Sequence, residues 1–196
     1  VARWLWSLAQ MGWTGVNLFF VLSGFLISRI LISERNTVDY FSKFYARRAL
    51  RILPVYFLTL VFIYFHYENS GKFVISSLFF LAHIPSVFHV VPCYPGLWSL
   101  SIEEQFYLLW PQAIRRCSIS NIKSIAYGLC FISPILRGLS FSYPSTSILA
   151  SLLGGFDGFA YGALLALCYE DSKNKPDALK SFWKGCLALG IIALIL

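Results

Sequence analysis

Two adjacent carboxylates, Glu103 and Glu104, interrupt the apolar and aromatic run Leu97-Trp98-Ser99-Leu100-Ser101-Ile102-Glu103-Glu104-Gln105-Phe106-Tyr107. An ionisable group inside a membrane span costs at least about 2.5–3.5 kcal/mol on insertion scales, so such a residue marks a functional site by default. On a helix the i+3, i+4 and i+7 neighbours of Glu103 are Phe106, Tyr107 and Trp110. A carboxylate set against aromatic rings is suited to proton transfer. The competing reading is a capping box: Ser101 and Glu104 have S-x-x-E spacing, which would leave both acids wetted at the outer end of a helix.

A second constellation is cationic. Lys43, Arg47, Arg48 and Arg51 precede Pro54 at the expected cytoplasmic start of a helix. At about 100° per residue they fall within an arc of roughly 140°, one basic face. Arginine forks and a helix N-terminus both suit a diphosphate. Topology alone also accounts for the cluster, because cytoplasmic loops collect Lys and Arg. A third candidate is Asp157, set in Gly154-Gly155-Phe156-Asp157-Gly158-Phe159-Ala160-Tyr161-Gly162-Ala163, where G-x-x-x-G spacing runs from Gly154 to Gly158 and from Gly158 to Gly162. Tight helix packing is the default for the glycines, and Asp157 requires a polar cavity or a basic partner. His66, His83 and His89 share no helical face suited to a metal pair, and the five cysteines, at 93, 117, 130, 168 and 186, show no C-x-x-C spacing. Neither a metal site nor a disulfide framework is expected.

The elements that must position these residues are membrane helices. The 196 residues are 58% hydrophobic and 13% charged, with a mean hydropathy of +0.67, far from the roughly 45–50% apolar and about 25% charged usage of soluble domains. An aromatic content of 18% suits ring-rich span ends at the headgroup level. The net charge of +7 sits in short loops, where it orients spans rather than attracting nucleic acid. Spans are expected at 12–32, 52–64, 99–114, 124–139, 148–169 and 182–196, with 170–180 a cytoplasmic loop. Arg29, Arg35, Lys43, Arg47, Arg48 and Arg51 after the first span, and Arg115, Arg116 and Lys123 after the span at 99–114, both belong in the cytoplasm. That balance works only if 73–92, apolar but holding His83, Pro85, His89 and Pro92, is re-entrant or interfacial. The fold class is therefore all-α, a polytopic transmembrane bundle of about six spans. The chain starts at Val1 and ends in an apolar run, which reads as a fragment cut at both ends.

The run Gly15-Val16-Asn17-Leu18-Phe19-Phe20-Val21-Leu22-Ser23-Gly24-Phe25-Leu26-Ile27 resembles the signature of the membrane-bound acyltransferase-3 family, which includes bacterial O-antigen O-acetyltransferases. Phe44-Tyr45-Ala46-Arg47-Arg48-Ala49-Leu50-Arg51-Ile52-Leu53-Pro54-Val55-Tyr56 is similar to its F-x-x-R-R-x-x-R-I-x-P-x-Y block. Residues 98–111 resemble its W-S-L-S-V-E-E-Q-F-Y block, and 157–166 its D-x-x-x-x-G-x-L-L-A stretch. The four blocks follow the family's order over most of the chain.

The resemblance implies that residues 1–196 are part of one acyltransferase-3 transmembrane domain, lacking its first helix and its C-terminal helices. It implies a multi-pass protein of the bacterial inner membrane that moves an acyl group, usually acetyl, from cytoplasmic acyl-CoA to a hydroxyl of a carbohydrate or lipid-linked glycan, with no metal. Lys43, Arg47, Arg48 and Arg51 become candidates for the coenzyme A phosphates. Glu103, Glu104 and Tyr107 become the catalytic candidates, and Asn17, Ser23, Gly24 and Asp157 the pocket candidates. Asn17 stands where the family usually has an acid, which removes an ionic role there. The family's catalytic histidine, in an R-x10-H motif, falls upstream of the position matching Val1, so the expectation is an active parent enzyme and an inactive isolated fragment. A transporter or flippase of lipid-linked sugars is the main alternative, since charged residues in spans also mark translocation paths, but the inverted repeat such a protein would carry is not visible. A membrane scaffold without chemistry is the third reading.

Overall fold

The computed structural model describes residues 2–82, 96–142 and 153–173, with 177, 180 and 184, and side-chain environments within 14–82, 96–140 and 153–173. The described elements are helices: α1 (Ala2–Ser33), α2 (Tyr40–His66), α3 (Gly71–Leu78), α4 (Leu97–Arg116), α5 (Ile119–Ser142) and α6 (Phe156–Ser172). Thr14–Ser33, Tyr40–His66 and Ile119–Ser140 are long and apolar enough to cross a membrane. The expected span at 182–196, the start of that at 148–169, and His83, Pro85, His89, Pro92, Cys93 and Cys186 lie outside the described residues.

The helices overrun most of the expected span bounds, and two of the differences bear on the charged residues. Helix α2 begins at Tyr40 rather than at residue 52. Lys43, Ala46, Arg47, Arg48, Ala49, Leu50 and Arg51 are strong helix formers, so charge ends the apolar run without ending the helix. Helix α4 begins at Leu97, with Gly96 at its N-cap position and no side-chain cap. Ser101 therefore lies in the second turn, where its hydroxyl donates to the Leu97 carbonyl at 3.0 Å. The capping box is not formed.

Helices α2 and α4 run antiparallel, joined by hydroxyls around Pro111. Tyr40 donates to the Pro111 carbonyl at 3.1 Å and Tyr45 to the Leu108 carbonyl at 3.0 Å. Proline is tolerated in such helices because neighbouring groups engage the backbone near the break. The end of α2 and the start of α4 consequently lie at the same end of the bundle. Helix α3 sits there too; its 8 residues span about 12 Å, too short for a hydrocarbon core of about 30 Å. At the opposite, basic end, Arg35 donates to the Cys117 carbonyl, Lys123 pairs with Asp171, and Arg29 lies 3.9 Å from Glu170. These contacts gather the end of α1, the α4–α5 turn and the end of α6 on one side, as the positive-inside argument requires.

The tightest packing is between α1 and α6. A Cβ on Gly24 would overlap the Phe159 backbone, and one on Gly162 would lie 2.6 Å from the Phe25 nitrogen. Close backbone approach through small residues is the means by which helices associate in lipid, where apolar burial supplies no driving force. Gly24→Ala is therefore expected to destabilise the protein by at least about 1–3 kcal/mol, the usual range for overpacking, because the obstacle is rigid backbone. Gly15→Ala, which meets nothing within 4 Å, is the control. Thermal unfolding in detergent reads the difference, and equal midpoints for the two variants would contradict the close approach.

Aromatic rings fill the space beside that seam. Phe159 stacks on Phe20 and on Phe106, each at 4.5 Å, and Phe106 stacks on Trp110 at 5.1 Å. Trp110 Nε1 donates to Ser28 Oγ at 2.8 Å. This column ties α1, α4 and α6 together and fixes the rotation of α4, which decides where its carboxylates point.

Candidate active site

With Phe106 and Trp110 committed to the aromatic column, Glu103 and Tyr107 occupy the neighbouring face of α4. The Tyr107 hydroxyl donates to Glu103 Oε1, one helical turn back. Arg48 Nη2, from α2, donates to the same oxygen at 3.3 Å and lies 3.9 Å from Glu104 Oε1. The guanidinium carbon stands 3.2 Å over the Tyr107 ring centroid, a cation–π contact that adds to the ion pair. The side chains of Arg48, Glu103 and Glu104 are 20%, 11% and 17% exposed. One cation thus serves two acids, and Glu104 Oε1, itself buried, has no hydrogen-bond partner among the described residues.

The cluster borders a cleft of about 260 Å³ between α2, α4 and the end of α3. Tyr45, Arg48, Glu104, Gln105 and Tyr107 provide its polar wall, and Ala49, Ile52, Leu53, Phe79, Phe80 and Leu108 the apolar remainder. Convergent polar groups in a mostly apolar cleft are the form small-molecule sites take.

The acyltransferase-3 family model, described as an acyltransferase domain, matches residues 1–196, the whole chain. The chain belongs to that family. Among its relatives, the peptidoglycan O-acetyltransferase OatA of Listeria monocytogenes is 37% identical over 124 residues, 54% of this chain and 20% of that protein. The O-acetyltransferase OatA of Staphylococcus aureus is 35% identical over 131 residues, 58% of this chain and 21% of that protein. The matched stretch is thus about a fifth of the length of these relatives. No solved structure matches the chain.

The family's blocks are distributed unevenly around the cleft. Arg48 of the arginine block and Glu103, Glu104 and Tyr107 of the glutamate block converge there, while Ser23 of the first block is half-buried on α1. Two neighbouring cations are paired elsewhere. Lys43 lies 3.4 Å from Asp39 and Arg47 lies 3.8 Å from Glu34. Arg51 is exposed and makes no ion pair among the described residues. Helix α2 starts two turns before Arg47 and Arg48, so a helix N-terminus does not assist these arginines as expected. Asn17 is exposed on α1, Gly24 serves the α1–α6 seam, and Asp157 pairs with Arg137 at the outer end of α5.

Sequence reasoning passed over several residues. Arg137 stands alone in an apolar span, and the insertion-cost argument that singled out Asp157 applies equally to it. Gln105, whose Nε2 donates to the Phe80 carbonyl at 3.0 Å, and Tyr56, whose hydroxyl donates to the Ser77 carbonyl at 2.6 Å, carry no sequence signal beyond an amphipathic side chain in an apolar run.

Proposed function

We propose that this chain carries the acyl-transfer site of a multi-pass O-acetyltransferase of the bacterial cytoplasmic membrane, which moves acetyl from cytoplasmic acetyl-CoA to a hydroxyl of a cell-surface glycan. The observation that carries the reading is the Arg48 guanidinium shared between Glu103 and Glu104 at the wall of the cleft. The reaction forms a carbon–oxygen bond from the acceptor hydroxyl to the thioester carbonyl carbon, breaks the carbon–sulfur bond, and delivers the hydroxyl proton by way of a base to the departing thiolate. Glu104 Oε1, with its vacant acceptor capacity, is placed to take the hydrogen bond of the incoming hydroxyl and hold it in line. Arg48 offers positive potential to the oxyanion that develops on the carbonyl, and Tyr107, donating to Glu103, holds that acid and the overlying guanidinium in place.

The relatives' names favour peptidoglycan as the acceptor over the O-antigen suggested by the first resemblance. The test is the intact protein in membrane vesicles given radiolabelled acetyl-CoA and either peptidoglycan fragments or O-antigen polysaccharide. Alkali-labile label on the peptidoglycan fragments is expected. Label on O-antigen alone would overturn the acceptor, and label on neither would overturn the enzyme reading.

A further inference from the structure

Phe80 is held in a conformation that its side chain disfavours. Its φ is +55°, in the left-handed region where a bulky L-residue is a genuine outlier and glycine is the usual occupant. The hydrogen bonds explain the geometry. Phe80 N–H donates to the Ser77 carbonyl at 2.8 Å and Leu81 N–H to the Ser76 carbonyl at 3.0 Å, the pair of bonds that defines a Schellman stop. Phenylalanine therefore fills the glycine position at the end of α3. Strain of this kind persists only where surrounding contacts over-determine it, and it concentrates at functional sites.

The surrounding contacts here are specific. Gln105 Nε2 fixes the Phe80 carbonyl from α4. The Phe80 ring stacks on Tyr56 at 5.1 Å and 16°, and Tyr56 is itself buried and hydrogen-bonded to the Ser77 carbonyl. Phe80 also lines the cleft. Helix α2 runs from the basic end outward, so Arg48 precedes Ile52 and Leu53 along the cleft, with Phe79 and Phe80 on the α3 side. At about 260 Å³ the space is below the roughly 300–1,000 Å³ of pockets for drug-sized ligands. It suits a small acyl group with part of its thioester arm, not a nucleotide.

We propose that Phe80 determines acyl-chain length. The thioester carbonyl lies beside Arg48 and Glu104, the acyl tail points outward, and the Phe80 ring, backed by Tyr56, closes the space beyond an acetyl group. This deepens the acyltransferase reading and rests on it. An apolar wall discriminates by roughly 10–200-fold per methylene, so removing the ring should relax that selection. Glycine is the informative replacement, because it accommodates the left-handed backbone without strain and keeps the stop intact.

The experiment measures kcat/KM of the intact protein for acetyl-, propionyl- and butyryl-CoA with one acceptor. The wild type is expected to prefer acetyl. Phe80→Gly should raise the butyryl-to-acetyl ratio by at least about tenfold, and Phe80→Leu should give a smaller rise. An unchanged ratio in both variants overturns the proposal, as does loss of transfer from every donor in both. A wild type that transfers no acyl group from any of the three donors overturns the acyltransferase reading itself, a result separate from either failure of the variants.

Discussion

Replacing Arg48 with alanine is expected to destabilise the protein by about 3–5 kcal/mol and to abolish acyl transfer, because it leaves two buried carboxylates without their counter-ion. The guanidinium donates to Glu103, lies within ion-pair distance of Glu104 and covers the Tyr107 ring. The structural and chemical contributions separate in a double variant. Arg48→Met with Glu103→Gln removes both charges at similar volume, and replacing a buried pair in this way is often neutral for stability. Thermal unfolding in detergent should show the double variant recovering part of the loss, since Glu104 still lacks its counter-ion, while acyl transfer by the same preparation stays absent. A single variant as stable as wild type would mean that the acids are not held by Arg48.

The second large effect falls on the acids, and the two should differ. Glu103 Oε1 is already taken by Tyr107 and Arg48, whereas Glu104 Oε1 accepts no hydrogen bond among the described residues. Glutamine keeps the size and much of the hydrogen bonding of glutamate and removes its charge. Glu104→Gln is expected to lower kcat by about 10²-fold, within the range for a lost acid–base or positioning group, with little change in unfolding midpoint. Glu103→Gln should lower the midpoint as well, because Arg48 loses its hydrogen-bonded partner. Steady-state kinetics beside unfolding curves resolves the two. Wild-type kcat in Glu104→Gln would assign that residue a structural role only.

The membrane class, the helical content and the need of Glu103, Glu104 and Asp157 for polar partners were legible in the sequence, because an ionisable side chain in an apolar run carries a cost large enough to read. The glycine seam was legible for the same kind of reason, since Gly158 and Gly162 recur one turn apart. What the sequence hid was rotation. Arg48 and Glu103 are 55 residues apart, and whether they meet depends on which faces α2 and α4 present, which the aromatic column of Phe20, Phe106, Phe159 and Trp110 sets. The cations of 43–51 therefore read as a single face, although Lys43 and Arg47 reach Asp39 and Glu34 while Arg48 turns inward. The capping box failed because backbone in an apolar environment is satisfied internally, which carries α4 a turn further, to Leu97. Phe80 was invisible because a Schellman stop is normally announced by glycine.

Arg47 and Arg48 are adjacent, chemically identical and equally able to orient a helix by charge, yet one faces Glu34 and the other the paired acids. Acetyl transfer by the intact protein carrying Arg47→Lys or Arg48→Lys separates topology from chemistry, since lysine keeps the charge and loses the planar fork. Arg48→Lys is expected to lower transfer by about 10²-fold, the scale of a lost transition-state contact, with wild-type amounts of protein in the membrane and wild-type activity in Arg47→Lys. Equal activity in the two variants, whether retained or lost, would contradict the assignment of the acyl-transfer site to the Arg48–Glu103–Glu104 cluster.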